Sequence, residues 1–340
     1  GFLNSVSIAG QDALAWSRVF ARGEQAKLGF GIAYSTGNSK DATDEDDGVV
    51  DTQAYVAAAL VDSEGKVLDA SIDALQSRIT FDSNGVITTP LDTSYTSKQL
   101  LGDDYGMRPA SPIGREWNEQ ADDFAAWTIG KTADEILNAD PEDADLAASV
   151  TASLSTFQKV MIDAIESAEY RGSREGDFVG LGVVGNAGSS RPEAGDRGPA
   201  MAQADNHYAA MTFDRAGVIT AVIIDSSQAK YEISDEGTIM TDLATDFPTK
   251  HEQGDDYNMR PASPIGKEWN EQTVFFENYV VGMTANEVLA LDLSDGAPTD
   301  SDLVSGVTIV VSEFLGAVEI AGQDALDKAL ADAEGGAPDQ

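Results

Sequence analysis

Apolar and small residues alternate weakly over Leu28–Tyr34, which predicts a strand. Gln53–Val61 and Lys66–Asp73 flank Ser63-Glu64-Gly65, and Ser77–Asp82 and Val86–Thr89 flank Ser83-Asn84-Gly85. Both read as hairpins, and Asn-Gly favours a two-residue turn. An acidic loop, Asn38–Asp51, separates the first of these strands from the next. From Ser111 the period becomes helical. Trp117, Ala121, Phe124 and Thr128 share one face, with Ser111 as cap, Pro112 in the first turn and Gly130 as the stop. Thr132-Ala-Asp-Glu135 is a capping box for a short further helix. Ser149–Leu154 then reads as a strand, and Ser155 caps a closing helix over Thr156–Ala168.

The whole pattern then recurs. Gly102–Gln120, GDDYGMRPASPIGREWNEQ, returns as Gly254–Gln272, GDDYNMRPASPIGKEWNEQ, with seventeen of nineteen positions identical. Gly217, Gln228 and Gly237 match Gly65, Gln76 and Gly85, and Thr284-Ala-Asn-Glu287 repeats the capping box. The two copies differ mainly in loops, at Asn186–Ala202 and Leu291–Pro298. Hairpins followed by segregated helices define an α+β class. The expected organisation is two tandem repeats of one module, 26–171 and 177–331, joined by the linker Gly172–Gly176 and followed by an acidic tail, 332–340. Residues 1–14 match residues 313–326 at ten of fourteen positions, so residues 1–25 read as an orphan N-terminal helix copied from the module-closing helix. Such a helix either caps the first module or docks on another subunit.

Charge narrows the partners. Among 340 residues, 59 acidic face 21 basic, a net charge of −38. Nucleic acid needs clustered Lys and Arg and is excluded as an expected partner. An anionic membrane surface would repel the chain, and no run approaches the roughly 20 apolar residues of a membrane span. The absence of cysteine removes disulfides, thiolate metal sites and thiol catalysis. The start at Gly1 rather than Met suits either a processed, exported form or a cut chain.

Little of the chain offers chemistry. His207 and His251 have no counterparts in the first copy, which argues against a histidine-based triad. The loop Asp41–Asp51 is acidic but lacks EF-hand spacing, so a solvated loop is expected there rather than a metal site. Asp103-Asp104 and Asp255-Asp256, with Arg108 and Arg260, are expected to shape the turn into the helix, each Arg pairing with a carboxylate. The repeated GDDYGM…GREWNEQ stretch resembles uncharacterised secreted tandem-repeat proteins of anaerobic Gram-positive bacteria. The run Asp302-Leu-Val-Ser305-Gly306-Val307-Thr308 resembles the Asp-x-x-Ser/Thr-Gly-Ala-Thr motif of the FMN-binding domain of extracytoplasmic electron-transfer proteins. That resemblance implies flavin carried through a phosphoester on Thr308, with Asp302, Ser305 and Gly306 around it, and Thr151 as the matching residue of the first module. Val307 stands where that motif has Ala, and Ala148-Ser149 replace Ser-Gly in the first module. A β-branched residue or a missing Gly there is expected to crowd a phosphate.

These features lead to the expectation of a non-enzymatic, extracellular or cell-surface protein without cofactor. It would be a structural, filament-forming repeat protein associating with itself through its modules and N-terminal helix. A flavin carrier in extracellular electron transfer is the alternative, and a module binding a small ligand or cell-surface polymer the second alternative.

Overall fold

A computed structural model describes residues 23–140, 144–151, 154–245 and 247–335. The orphan helix, apart from its last residues, lies outside them. The first half opens with β1 (Lys27–Ser35), β2 (Gly48–Val61) and β3 (Val67–Phe81), an antiparallel sheet in that order. After β4 (Ser94–Tyr95) come α1 (Lys98–Leu101), α2 (Trp117–Thr128), α3 (Ala133–Leu137), α4 (Ala144–Ser149) and α5 (Leu154–Glu166). The second half repeats the sheet as β5 (Phe178–Asn186), β6 (Ala200–Phe213) and β7 (Ile219–Ile233). There follow α6 (Lys250–Gln253), α7 (Trp269–Val280), α8 (Ala285–Leu289), the hairpin β8 (Leu293–Ser294) and β9 (Ala297–Pro298), α9 (Ser301–Val304) and α10 (Ser312–Gly335). Corresponding long strands have equal lengths of 9, 14 and 15 residues. The fold is α+β.

The two sheets lie face to face, and each carries its own helices on the outside. Along β2, Tyr55, Ala57, Ala59 and Val61 turn towards α2 and α5, while Ala54, Val56, Ala58 and Leu60 turn towards the other sheet. Sheet two does the same: Ala209, Met211 and Phe213 meet α7 and α10, and Ala202, Ala204, Tyr208 and Ala210 meet the first sheet. All fourteen residues of β2 are therefore buried, which erases the apolar–polar alternation of a half-exposed strand. Alanine dominates the inter-sheet layer and lets the sheets interdigitate closely. The closing helices approach β1 and β5 equally closely. A methyl group at Gly31 or Gly182 would overlap the Val160 or Ala317 carbonyl, so only glycine fits there.

The halves also interlock. β4 belongs to the first half but pairs with β5 of the second. The loop before β2 is stitched to the opposite half, with Asp41 Oδ1 accepting the Ile239 N–H at 2.7 Å and Ala42 donating to the Gly237 carbonyl at 2.9 Å. The open edges of β3 and β5 meet along one side. There Asp69 Oδ2 accepts the Val179 N–H (2.7 Å), and Asp324 Oδ2 accepts the Leu181 N–H (3.0 Å) and the Ser71 hydroxyl (2.6 Å). Lys328 Nζ donates to the Ala70 and Val179 carbonyls at 2.9 and 3.0 Å. Side chains of α10 thus satisfy edge groups that would otherwise need a further strand. On the other side, Ala26, just before β1, and Leu28 within it donate to the carbonyls of Ser173 and Glu169, both at 3.0 Å.

Several expectations need correction. β3 is one continuous strand rather than two, because its polar residues find partners within the fold. Asp73 caps α1 through the Gln99 N–H (3.0 Å), and Gln76 Nε2 donates to Asp51 (2.8 Å). Val86–Thr89 forms only an isolated bridge, Phe81 with Ile87. Ser149 ends α4 instead of opening a strand, and the closing helix starts at Leu154. The helix of the repeated stretch begins at Trp117 with Glu116 as its cap, so Ser111 is not the cap. Residues 332–335 belong to α10 rather than to a tail, and Asp332 pairs with Arg215 at 2.8 Å.

Candidate functional site

The repeated stretch folds as a self-bonded turn ahead of α2 and α7. Glu116 is 1% exposed, and its carboxylate accepts the N–H groups of Met107 (2.9 Å) and Arg108 (2.6 Å). The Arg108 guanidinium spans Asp103 (2.6 Å) and Glu119 (2.9 Å). Arg260 does the same with Asp255 and Glu271, both at 2.8 Å, and Glu268 accepts Met259 and Arg260 N–H at 2.8 Å. The two positions that differ have local explanations. Gly106 and Asn258 are both left-handed, at φ 74° and 57°. Arg115 pairs with Asp123, whereas Lys267 lies 5.3 Å from the centre of the Phe275 ring.

The last residue of that stretch joins it to the second motif singled out from the sequence. Gln272 is fully buried on α7, and its Oε1 accepts both the N–H (2.8 Å) and the hydroxyl (3.2 Å) of Thr308. Its Nε2 donates to Ser263 Oγ and the Lys267 carbonyl, both at 3.2 Å. Gln120 holds Thr151 in the same way, at 2.8 and 3.3 Å. Thr308 stands in an extended run whose Val307, Ile309 and Val311 enter the core, while Thr308 is half-buried and Val310 exposed. Val307 thus packs into the core. Gly306 is needed for another reason: the Phe275 ring occupies the space of a Cβ. Ser305 donates to the Asp302 carbonyl (2.7 Å), and the Asp302 N–H donates to Asp300 Oδ1 (2.9 Å), the cap of α9. Asp302, Ser305, Gly306 and Thr308 thus share one turn, and Thr151 belongs to the helical layer on the other side of the sandwich.

Sequence reasoning passed over a pair of buried lysines. Lys98 Nζ lies 4.7 Å from the ring centre of Tyr105 and 5.2 Å from those of Tyr55 and Trp117, and it donates to Gln53 Oε1 at 2.9 Å. Burial pulls this ammonium down to about 8, against the opposing pull of Asp51 and Asp73. Lys250 lies 5.1 and 5.0 Å from the ring centres of Tyr257 and Trp269. A Ser97-Lys98 and Thr249-Lys250 pair at matching distance before each GDDY run was the available signal. Lys98 sits in a cation–π cage linking the sheet, the repeated turn and its helix, and Lys250 links the turn and helix of the second copy.

The histidines are buried too. His207 Nδ1 pairs with Ser226 Oγ at 2.9 Å, and burial, helped by Lys250, lowers it to about 4. His251 Nε2 pairs with Thr273 Oγ1 at 2.9 Å and is lowered to about 4 by burial and Arg171. Beside it, Glu277 accepts the Ile224 N–H at 2.8 Å, and burial raises it to about 8 despite Arg171. This Thr–His–Glu series is spent on internal bonds. Among the described residues, no group of acidic and histidine side chains has metal-ligand clustering, and no helix is long and apolar enough to cross a membrane. Comparison with known proteins gave no family model, curated sequence or solved structure that matches the chain.

Proposed function

We propose that this is a non-enzymatic structural repeat protein of the cell exterior that associates with itself. One observation carries the reading. The side chains that looked chemical in the sequence are bonded to one another, in the same way in both halves. Arg108 and Arg260 are held between carboxylates, Glu116 and Glu268 hold backbone N–H groups, and Thr151 and Thr308 are clamped by glutamines. The same turn is thereby presented on two sides of one molecule, with Asp103 and Asp255 exposed on it. A surface displayed twice suits contacts between copies that propagate. Salt screens the −38 charge and should favour assembly. Light scattering and electron microscopy across a salt series test this. A strict monomer at every salt and protein concentration would refute it.

A second reading, a flavin carrier, has one observation in its favour. Val307 turns inward, leaving Thr308 on the outer side with Ser305 beside it. A phosphoester on Thr308 Oγ1 would have to replace the bond of that hydroxyl to Gln272 Oε1, and the bound flavin would supply electron transfer. Intact mass of protein from its native source tests this reading. An added flavin mass that disappears in Thr308→Ala would establish it, and the bare polypeptide mass would exclude it.

A further inference from the structure

We propose that the groove between α7 and Glu169–Arg171 is the seat of residues 13–22 of the same chain, a contact independent of the self-association above. The groove encloses about 330 Å³, with Tyr170, Arg171, Val222, Val274, Glu277 and Val281 among its walls. Val274 on α7 and Val281 just past its end are 41% and 42% exposed, and Tyr170, which lines the same groove, is 54% exposed. An apolar stripe on the outside of a helix is the mark of a missing neighbour. The matching face of α2 is different. There Asp122 stands in the place of Val274 and accepts from Gln99 Nε2 at 2.7 Å, so of that pair the first half keeps only Ile129, in the place of Val281.

Position and chemistry choose the occupant. The described chain opens at Gly23, whose carbonyl accepts from Arg174 Nη1 at 3.2 Å. It then runs antiparallel to the segment that ends on the groove, with Ala26 bonded to Ser173 and Leu28 to Glu169. Gly23 is therefore about five residues, or roughly 17 Å of extended chain, from Tyr170. Ten residues span roughly 15 Å at a helical rise and roughly 33 Å extended, so an extended run over residues 13–22 brings its Leu14–Trp16 end to the groove from Gly23. Their sequence is ALAWSRVFAR. It contains no acid, in a chain with 59, and it supplies Leu14, Trp16, Val19 and Phe20 for the valines and Tyr170. Arg18 suits Glu169 on the rim.

The absence of cysteine makes the test direct. Val274→Cys is combined in turn with Trp16→Cys, Val19→Cys and Phe20→Cys, and each full-length protein is oxidised. At least one pair should close a disulfide within the monomer, read as a two-hydrogen mass loss and a monomer band faster than the reduced form on a non-reducing gel. Disulfide-linked dimers would assign the groove to a second copy, and no cross-link in any pair would leave it without this occupant; either overturns the proposal. In cysteine-free protein, Val274→Asp with Val281→Asp should raise tryptic cleavage after Arg18 and Arg22 by about tenfold, because cleavage follows the open population. Unchanged cleavage would count against the contact.

Discussion

Gln272 Oε1 receives two hydrogen bonds from one residue, the N–H and the hydroxyl of Thr308, at 2.8 and 3.2 Å. The bonds connect the last residue of the repeated stretch to the run before the closing helix, and Gln120 and Thr151 repeat the connection. A glutamine that saturates both ends of its amide inside the core specifies the approach of two segments far apart in sequence. Gln272→Leu should destabilise the protein by roughly 1–3 kcal/mol, the cost of leaving buried partners unsatisfied. Thr308→Val should cost less, since only the hydroxyl is lost. A double-mutant cycle by denaturant unfolding should show coupling between the two, and strict additivity would mean that the bonds contribute nothing net.

Trp117 and Trp269 sit at the first turn of α2 and α7, where each packs on the closing core and against a buried lysine. Trp117→Ala and Trp269→Ala should each cost roughly 3–5 kcal/mol. Calorimetry reads this directly. Unchanged melting would mean that the rings act in recognition rather than packing.

Gly182 lies against the Ala317 carbonyl of α10. Gly182→Ala should force helix and strand apart and cost roughly 1–3 kcal/mol, as should Gly31→Ala on the first half. Gly195→Ala is the control, because nothing lies near an added methyl there. A stable Gly182→Ala protein would show that α10 can shift without loss.

Burial raises Glu277 to about 8 and Asp225 and Asp73 to about 7. Unfolded carboxylates titrate near ~4, so the folded state holds protons that the unfolded state has released. Their contribution is present in full below about pH 4 and is lost as pH rises towards 7–8. His207 and His251, lowered to about 4, act on the opposite flank: their contribution is present above about pH 6.5 and lost as pH falls towards 4. Glu277→Gln keeps a carbonyl for the Ile224 N–H but has no proton to lose. Melting temperature followed from about pH 5 to about pH 8 should fall less steeply in this variant than in the parent. Parallel curves would show that Glu277 is ionised throughout.

The sequence revealed those features whose cause is local. Thr132 and Thr284 cap helices through bonds three residues away, and Trp117 and Phe124 mark one helical face, so the short-range pattern was enough. Features that depend on the other half were hidden. A strand buried on both faces shows no alternation, so Gln53–Val61 identified β2 without showing that a second sheet lies against it. Asp73 and Gln76 looked like interruptions of a strand because their partners, the Gln99 N–H and Asp51, lie 26 and 25 residues away. Lys98 was passed over for the same reason: Tyr55 and Trp117 come from elements on either side of it in the chain. The Asp302–Thr308 run was read as chemistry because its partner Gln272 lies 36 residues from Thr308.

The facing sheets also fix the arithmetic of growth for such a chain. One half alone would leave Ala54, Val56, Ala58, Leu60 and Leu75 wet, so a single added copy would have a bare sheet and nothing to lay it on. An array built from this unit can lengthen only two copies at a time, or else must borrow the missing sheet from another molecule. Its inheritable brick is the couple, and an odd copy is an adhesive end.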